Sequence, residues 1–307
     1  MCIVCGCGTS SVEEKSALGM KHDQHHSHGV VHAHVDGHAQ GHDHFHQVEH
    51  GNNANVASVA SIDFGTGAAG LSISGVSEAR LIRMERDVRS RNDEHARRNR
   101  SRLAETGTLA LNLLSSPGSG KTSLLVRTIY TLKDRFSISV IEGDQRTSND
   151  ADRIRATGAP AVQINTGKGC HLDAHMVEHG ISRLNLENGG ILFIENVGNL
   201  VCPASFDLGE ESKIVVLSVT EGEDKPLKYP EAFAAAELLL LNKADLLPHL
   251  DFDVGLCLAN ALKINPDLQT LVVSAKTGEG LPAFHAWLEG RSARAASAQS
   301  RPAKAEK

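Results

Sequence analysis

The apolar run Leu109 to Ser115 passes directly into Ser116-Pro117-Gly118-Ser119-Gly120-Lys121-Thr122 and then into a helical stretch from Ser123. Strand, glycine-rich turn and helix in that order make a phosphate-binding loop. Gly118 and Gly120 let backbone N–H groups turn toward an anion, Ser119 and Ser123 flank them, Lys121 sets a point charge at the β and γ phosphates, and Thr122 offers a hydroxyl to Mg²⁺. Ser115 stands where the common pattern has its first glycine. Such a loop sits at the carboxyl end of a sheet strand, which restricts what the surrounding chain must build.

Further strand candidates are 138–143, 161–165, 191–195, 213–219, 237–241 and 270–274. Most are followed by a turn and an amphipathic segment, such as Ser123 to Lys133, His171 to Leu184 or Phe252 to Leu262. Runs that are apolar throughout suit strands covered on both faces, so the expectation for 108–290 is an α/β domain with a mostly parallel central sheet flanked by helices. Ahead of it, 76–107 reads as an Arg-rich helix with apolar residues at Val76, Ala79, Leu81, Ile82, Met84 and Val88. The tail 291–307, rich in Ala, Ser and charge, reads as disordered.

The beginning of the chain is a different polymer. Eleven of the 17 histidines (His22, His25, His26, His28, His32, His34, His38, His42, His44, His46 and His50) fall within 29 residues. Residues 1–75 contain no Arg and carry a formal charge of −5, leaving −1 for the rest. The expectation is a Cys motif at 1–8, then a disordered His-rich region and linker over 9–75. A nearly neutral body with 4% aromatics argues against nucleic acid as a partner. No apolar run approaches a membrane span and Met1 to Cys5 does not resemble a signal peptide, so the reading is no membrane and a cytoplasmic location.

Asn242-Lys243-Ala244-Asp245 follows the run Leu238 to Leu241, about 120 residues after the phosphate loop, and Ser274-Ala275-Lys276 follows the next strand. A carboxylate at Asp245 accepts both N1–H and the N2 amine of guanine, a donor pair that adenine lacks, while Asn242 holds the purine's other edge. GTP is the expected nucleotide. Asp144 and Glu195, at the ends of the second and fourth strands, could hold Mg²⁺ through water, orient the attacking water or report the γ-phosphate. Lys121, Asp144 and Glu195 are therefore the candidate catalytic groups. Glu195 departs from the common Asp-x-x-Gly switch, and no Gln or cis Arg completes the transition state, so slow hydrolysis is expected.

Cys2, Cys5 and Cys7 lie within six residues. Three thiolates can surround one ion, and with the terminal amine as fourth ligand the S₃N set suits Ni²⁺ better than Zn²⁺. Cys170, His171 and Cys202 follow the third and fourth strands, on the edge where the phosphates would lie, and a metal there would sense nucleotide state. The His tract is expected to bind several Ni²⁺, Zn²⁺ or Cu²⁺ ions weakly. Cys257, on an apolar helical face, reads as core.

Together, Cys2-x-x-Cys5-Gly6-Cys7, the loop 115–122, Glu142-Gly143-Asp144-Gln145, Gly169-Cys170-His171-Leu172-Asp173 and Glu195-Asn196-Val197-Gly198-Asn199-Leu200-Val201-Cys202-Pro203 resemble the HypB family of hydrogenase-maturation GTPases. The resemblance implies a SIMIBI-class GTPase fold, a homodimer promoted by GTP, an N-terminal nickel site and a nickel or zinc site at Cys170, His171 and Cys202. It also implies handover with the partner HypA to the hydrogenase large-subunit precursor, with the His tract serving nickel storage. The urease accessory GTPases resemble the same phosphate loop but carry Cys-Pro-His, where this chain has Cys202-Pro203-Ala204. A third reading makes the chain chiefly a nickel store.

Overall fold

Among the described residues seven strands form on the apolar runs: β1 (Leu109–Ser115), β2 (Ile138–Asp144), β3 (Ala161–Asn165), β4 (Ile191–Glu195), β5 (Ser212–Ser218), β6 (Ala236–Asn242) and β7 (Gln269–Val272). The computed structural model describes residues 78–145 and 148–299. Cys2, Cys5, Cys7, the histidines from His22 to His50 and the linker to residue 75 lie outside the described residues. The strand order is β3-β2-β4-β1-β5-β6-β7, and every pairing is parallel. A parallel sheet puts all carboxyl ends on one edge. That edge gathers the loops after β1, β2, β3, β4, β6 and β7.

Every residue of β1 is buried, because helices cover both faces. On one face Leu109, Leu111 and Leu113 pack with Leu124, Leu125 and Ile129 of α2 (Lys121–Leu132) and Phe284 and Leu288 of α8 (Leu281–Gln299). On the other, Ala110, Leu192 and Ile194 meet Val177 and Ile181 of α4 (Ala174–Arg183) and Leu103 of α1 (Glu78–Thr106). Toward β7 that face is closed by Phe233 of α6 (Pro230–Ala235) and Ala261 of α7 (Val254–Ile264). The short helices α3 (Asn149–Arg155) and α5 (Lys225–Lys228) complete the layers. No described helix is long and apolar enough to cross a membrane.

Two expectations need correction. Met84 and Val88, from which the first helix was read, are exposed; the buried stripe of α1 is Asn92, Ala96, Asn99 and Leu103. It clasps the start of α4, with Asn92 Oδ1 accepting from Ala174 N at 2.9 Å and Asn99 Nδ2 donating to Ala174 O at 2.8 Å. The tail boundary at 290 is also passed. α8 continues to Gln299 because Arg291 reaches Ser212 Oγ at 2.7 Å and Glu237 at 3.0 Å, and Ser292 is buried.

Cys257 of α7 is fully buried, and burial pushes its thiol up to about 11, with Glu223 and Glu221 adding to the shift. At pH 8 about 0.1% would be thiolate. Timed native alkylation with a chelator present should label half-buried Cys202 at least about 100-fold faster than Cys257, read by peptide mass spectrometry. Comparable rates would show that α7 is not packed on the sheet in this way.

Candidate nucleotide and metal site

The phosphate loop is held open by its glycines and tethered from below. Gly118 and Gly120 have φ of +76° and +96°, a region that costs L side chains energy. A Cβ on Gly120 would lie 2.6 Å from Asn242 Nδ2. Lys121 Nζ donates to Ser115 Oγ at 2.5 Å, so the serine at the departure from the common pattern anchors the lysine. Burial pulls the lysine pKa down while Glu195 pulls it up. Ser123 Oγ accepts from Arg153 of α3 at 2.9 Å.

Beside the lysine, Thr122 Oγ1 donates to Glu195 Oε1 at 2.7 Å. Glu195 is buried and its carboxyl is raised to about 7 by that burial, against the opposing pull of Lys121 and Thr122. Its register partner across β2, Glu142, rises to about 8 through burial and then the nearby carboxylates of Glu195 and Asp144. Glu195 Oε2 and Glu142 Oε2 have no hydrogen-bond partner. Orphaned acidic oxygens beside a threonine hydroxyl fit a hard cation such as Mg²⁺, whose ligands are oxygens. Asp144 ends β2 and accepts from Gln145 N at 2.5 Å.

The base loops lock onto the phosphate loop. Asn242 Nδ2 donates to Ser119 O at 2.9 Å and its Oδ1 accepts from Ala275 N at 3.1 Å. The amide expected to meet the purine thus spans two loops, with one amide hydrogen left over. Lys243 adopts φ of 64° and sends Nζ to Gly118 O at 2.6 Å. Ser274 Oγ donates to Asp245 Oδ1 at 2.6 Å. Exposed Lys276 lies 3.8 Å from Asp245 Oδ2.

At the other end of the edge, donor atoms of Cys170, His171 and Cys202 all lie within 4.8 Å of one another. Cys170 Sγ is 3.5 Å from His171 Nδ1. Metal–sulfur and metal–nitrogen bonds of about 2.3 and 2.05 Å bring donors somewhat closer than this, so small rotations suffice. Burial lowers the His171 pKa, favouring the neutral ring that ligates metals. The segment from Glu195 to Cys202 joins the two ends. Gly198 lies against Pro117, Asn199 pairs with Ser115, and Asn199 Nδ2 donates to Cys170 O at 3.3 Å.

A family model described as the nucleotide-binding domain of CobW, HypB and UreG proteins matches residues 109–272. The hydrogenase maturation factor HypB of Rhizobium leguminosarum bv. viciae is 61% identical over 299 residues, 96% of this chain and 98% of that one. The chain belongs to the HypB family. It is a P-loop GTPase of that family. HypB of Escherichia coli K12 is 59% identical over 228 residues, 74% of this chain and 79% of that one. The crystal structure of HypB from Helicobacter pylori in complex with nickel is 40% identical, with a TM-score of 0.64, covering 69% of this chain and 99% of that one.

This HypB-family domain also uses Asn196, to which its motif assigned no role, and Asn112 and Glu210, which lie outside the ligand motifs. Asn196 Oδ1 accepts from Leu172 N and Val197 N, both at 3.0 Å. Its Nδ2 donates to Asn112 Oδ1 at 3.3 Å, and Asn112 in turn donates to buried Glu210 at 3.1 Å. That chain runs under the sheet edge and fixes the residue after His171. The available signal was Asn112 itself, a polar group in the middle of an apolar strand, which must find a partner.

Proposed function

We propose that this chain couples GTP binding and hydrolysis to taking up and releasing nickel during maturation of nickel-iron hydrogenase. The observation that carries the reading is that one segment touches both ends of the site: Glu195 meets Thr122, while Asn199 meets Cys170 and Cys202 belongs to the donor cluster. Lys121 and the loop N–H groups hold the phosphates, and Asp245 reads guanine. Thr122, Asp144 and Glu195 would hold Mg²⁺, which supplies positive charge at the β and γ phosphates. Bound GTP orders 195–202, favours a homodimer and sets the geometry of Cys170, His171 and Cys202. After hydrolysis the segment relaxes and the ion leaves.

In this reading Cys2, Cys5 and Cys7 form a second nickel site and the His tract stores nickel. The ion passes, with HypA, to the hydrogenase large-subunit precursor in the cytoplasm. The internal site takes Ni²⁺ or Zn²⁺ by its donor set. The nickel complex of the Helicobacter pylori relative supports nickel as cargo. The test is metal affinity of the internal site with GDP and with a non-hydrolysable GTP analogue, in a chain carrying Cys2→Ser, Cys5→Ser and Cys7→Ser. A difference of at least about fivefold is expected, corresponding to roughly 1 kcal/mol of coupling. Equal affinities would sink the coupling. Deleting residues 20–52 should remove most bound nickel in equilibrium dialysis and leave hydrogenase activity intact, with urease activity as the control.

A further inference from the structure

His175 and His179 stand four residues apart on α4, a spacing that puts both side chains on one helix face. Both are exposed. Their Nε2 atoms are 3.1 Å apart and their ring centroids 4.6 Å apart. With metal–nitrogen bonds of about 2.05 Å, two nitrogens so spaced subtend about 100° at an ion, between the square and tetrahedral angles. One Nε2–H donates to the other Nε2; with both ring protons on Nδ1 instead, the two Nε2 lone pairs would converge on one point, where an ion could sit.

A further histidine flanks the pair from the neighbouring helix. His95 of α1 meets His175 edge-on, with centroids 4.7 Å apart. His95 Nδ1 lies 2.5 Å from Glu178 Oε2, and Arg98 Nε donates to Glu178 Oε1 at 3.2 Å. Arg98 Nη2 also approaches His95 Nδ1, at 2.6 Å, so His95 and Arg98 of α1 and Glu178 of α4 tie the two helices together beside the pair.

We propose that His175 and His179 form a separate two-imidazole surface site for a divalent cation of the Ni²⁺ or Zn²⁺ class, with water completing the shell. It shares no ligand with Cys170, His171 and Cys202.

Residue-resolved acylation of the full chain by diethyl pyrocarbonate, with and without saturating Zn²⁺, tests it by peptide mass spectrometry. Exposed His249 is the unprotected reference and buried His285 reports an intact fold. Zn²⁺ should slow acylation of His175 and His179 at least tenfold and leave His249 unchanged. His179→Ala should abolish the protection of His175, and Cys170→Ser with Cys202→Ser should leave it in place. Should the Cys variant lose its fold by the His285 criterion, the wild-type and His179→Ala arms decide. Unchanged acylation of His175 in Zn²⁺, or protection that survives His179→Ala, overturns the site. Protection lost in a folded Cys variant does so too, by assigning the histidines to the thiolate centre.

Discussion

Asp245→Asn is expected to lower GTP affinity about 100- to 1,000-fold and to improve binding of xanthosine triphosphate. The carboxylate has one oxygen fixed by the Ser274 hydroxyl at 2.6 Å and the other 3.8 Å from Lys276 Nζ. In the proposed base site the remaining lone pairs on both oxygens would accept from two donors on guanine. Hydrogen bonds to a charged acceptor contribute about 1.5–3 kcal/mol each, and an amide keeps only one acceptor while setting its NH₂ against the guanine amine. The loss is therefore on the order of 3–4 kcal/mol. Xanthine carries a carbonyl where guanine has the amine, and the new amide donor suits it. Calorimetric titration with both nucleotides reads the exchange; undiminished GTP affinity would move the base site away from Asp245.

How much of this was legible depended on whether the signal was local. β1, β3 and β4 lie where their apolar runs predicted, and the limits of β2, β5, β6 and β7 moved by a residue or two, because strands buried on both faces need unbroken apolar runs. The phosphate loop was legible for a similar reason, since strand, glycines, lysine and threonine are consecutive. α1 was half legible. Its existence followed from composition, yet its buried face holds Asn92 and Asn99, whose partners Ala174, Asp207 and Leu208 are 75 or more residues away. The continuation of α8 past Gly290 depends in the same way on Ser212 and Glu237 accepting Arg291. Cys170 and Cys202 were both suspected as ligands, but β2 lies between β3 and β4. Their approach comes from the loops bending toward each other, which spacing along the chain does not encode.

That bend makes Gly198→Ala the more demanding test of the coupling. A Cβ on Gly198 would stand 2.9 Å from Pro117 Cα and 3.0 Å from both Pro117 N and Cγ. Those are backbone and ring atoms of a loop pinned by Asn242 at Ser119 O and by Lys243 at Gly118 O, so the loop resists and the 195–202 segment must give way. Moving that segment strains the Thr122 to Glu195 hydrogen bond and the pairing of Ser115 with Asn199. Misplacing a catalytic group by about 1 Å costs on the order of 100-fold, so single-turnover GTP hydrolysis should fall by about that factor. GDP affinity should stay within about threefold, because Asp245, Lys121 and the loop N–H groups are untouched and surface-loop changes away from them cost little. Metal affinity at Cys170, His171 and Cys202 should become the same in the GDP and GTP-analogue states. A variant that hydrolyses GTP at the wild-type rate would mean that Glu195 does not act on the phosphates. Slow hydrolysis with intact nucleotide dependence of metal binding would instead mean that the signal reaches Cys170 by the Asn196 to Leu172 hydrogen bond rather than through Asn199.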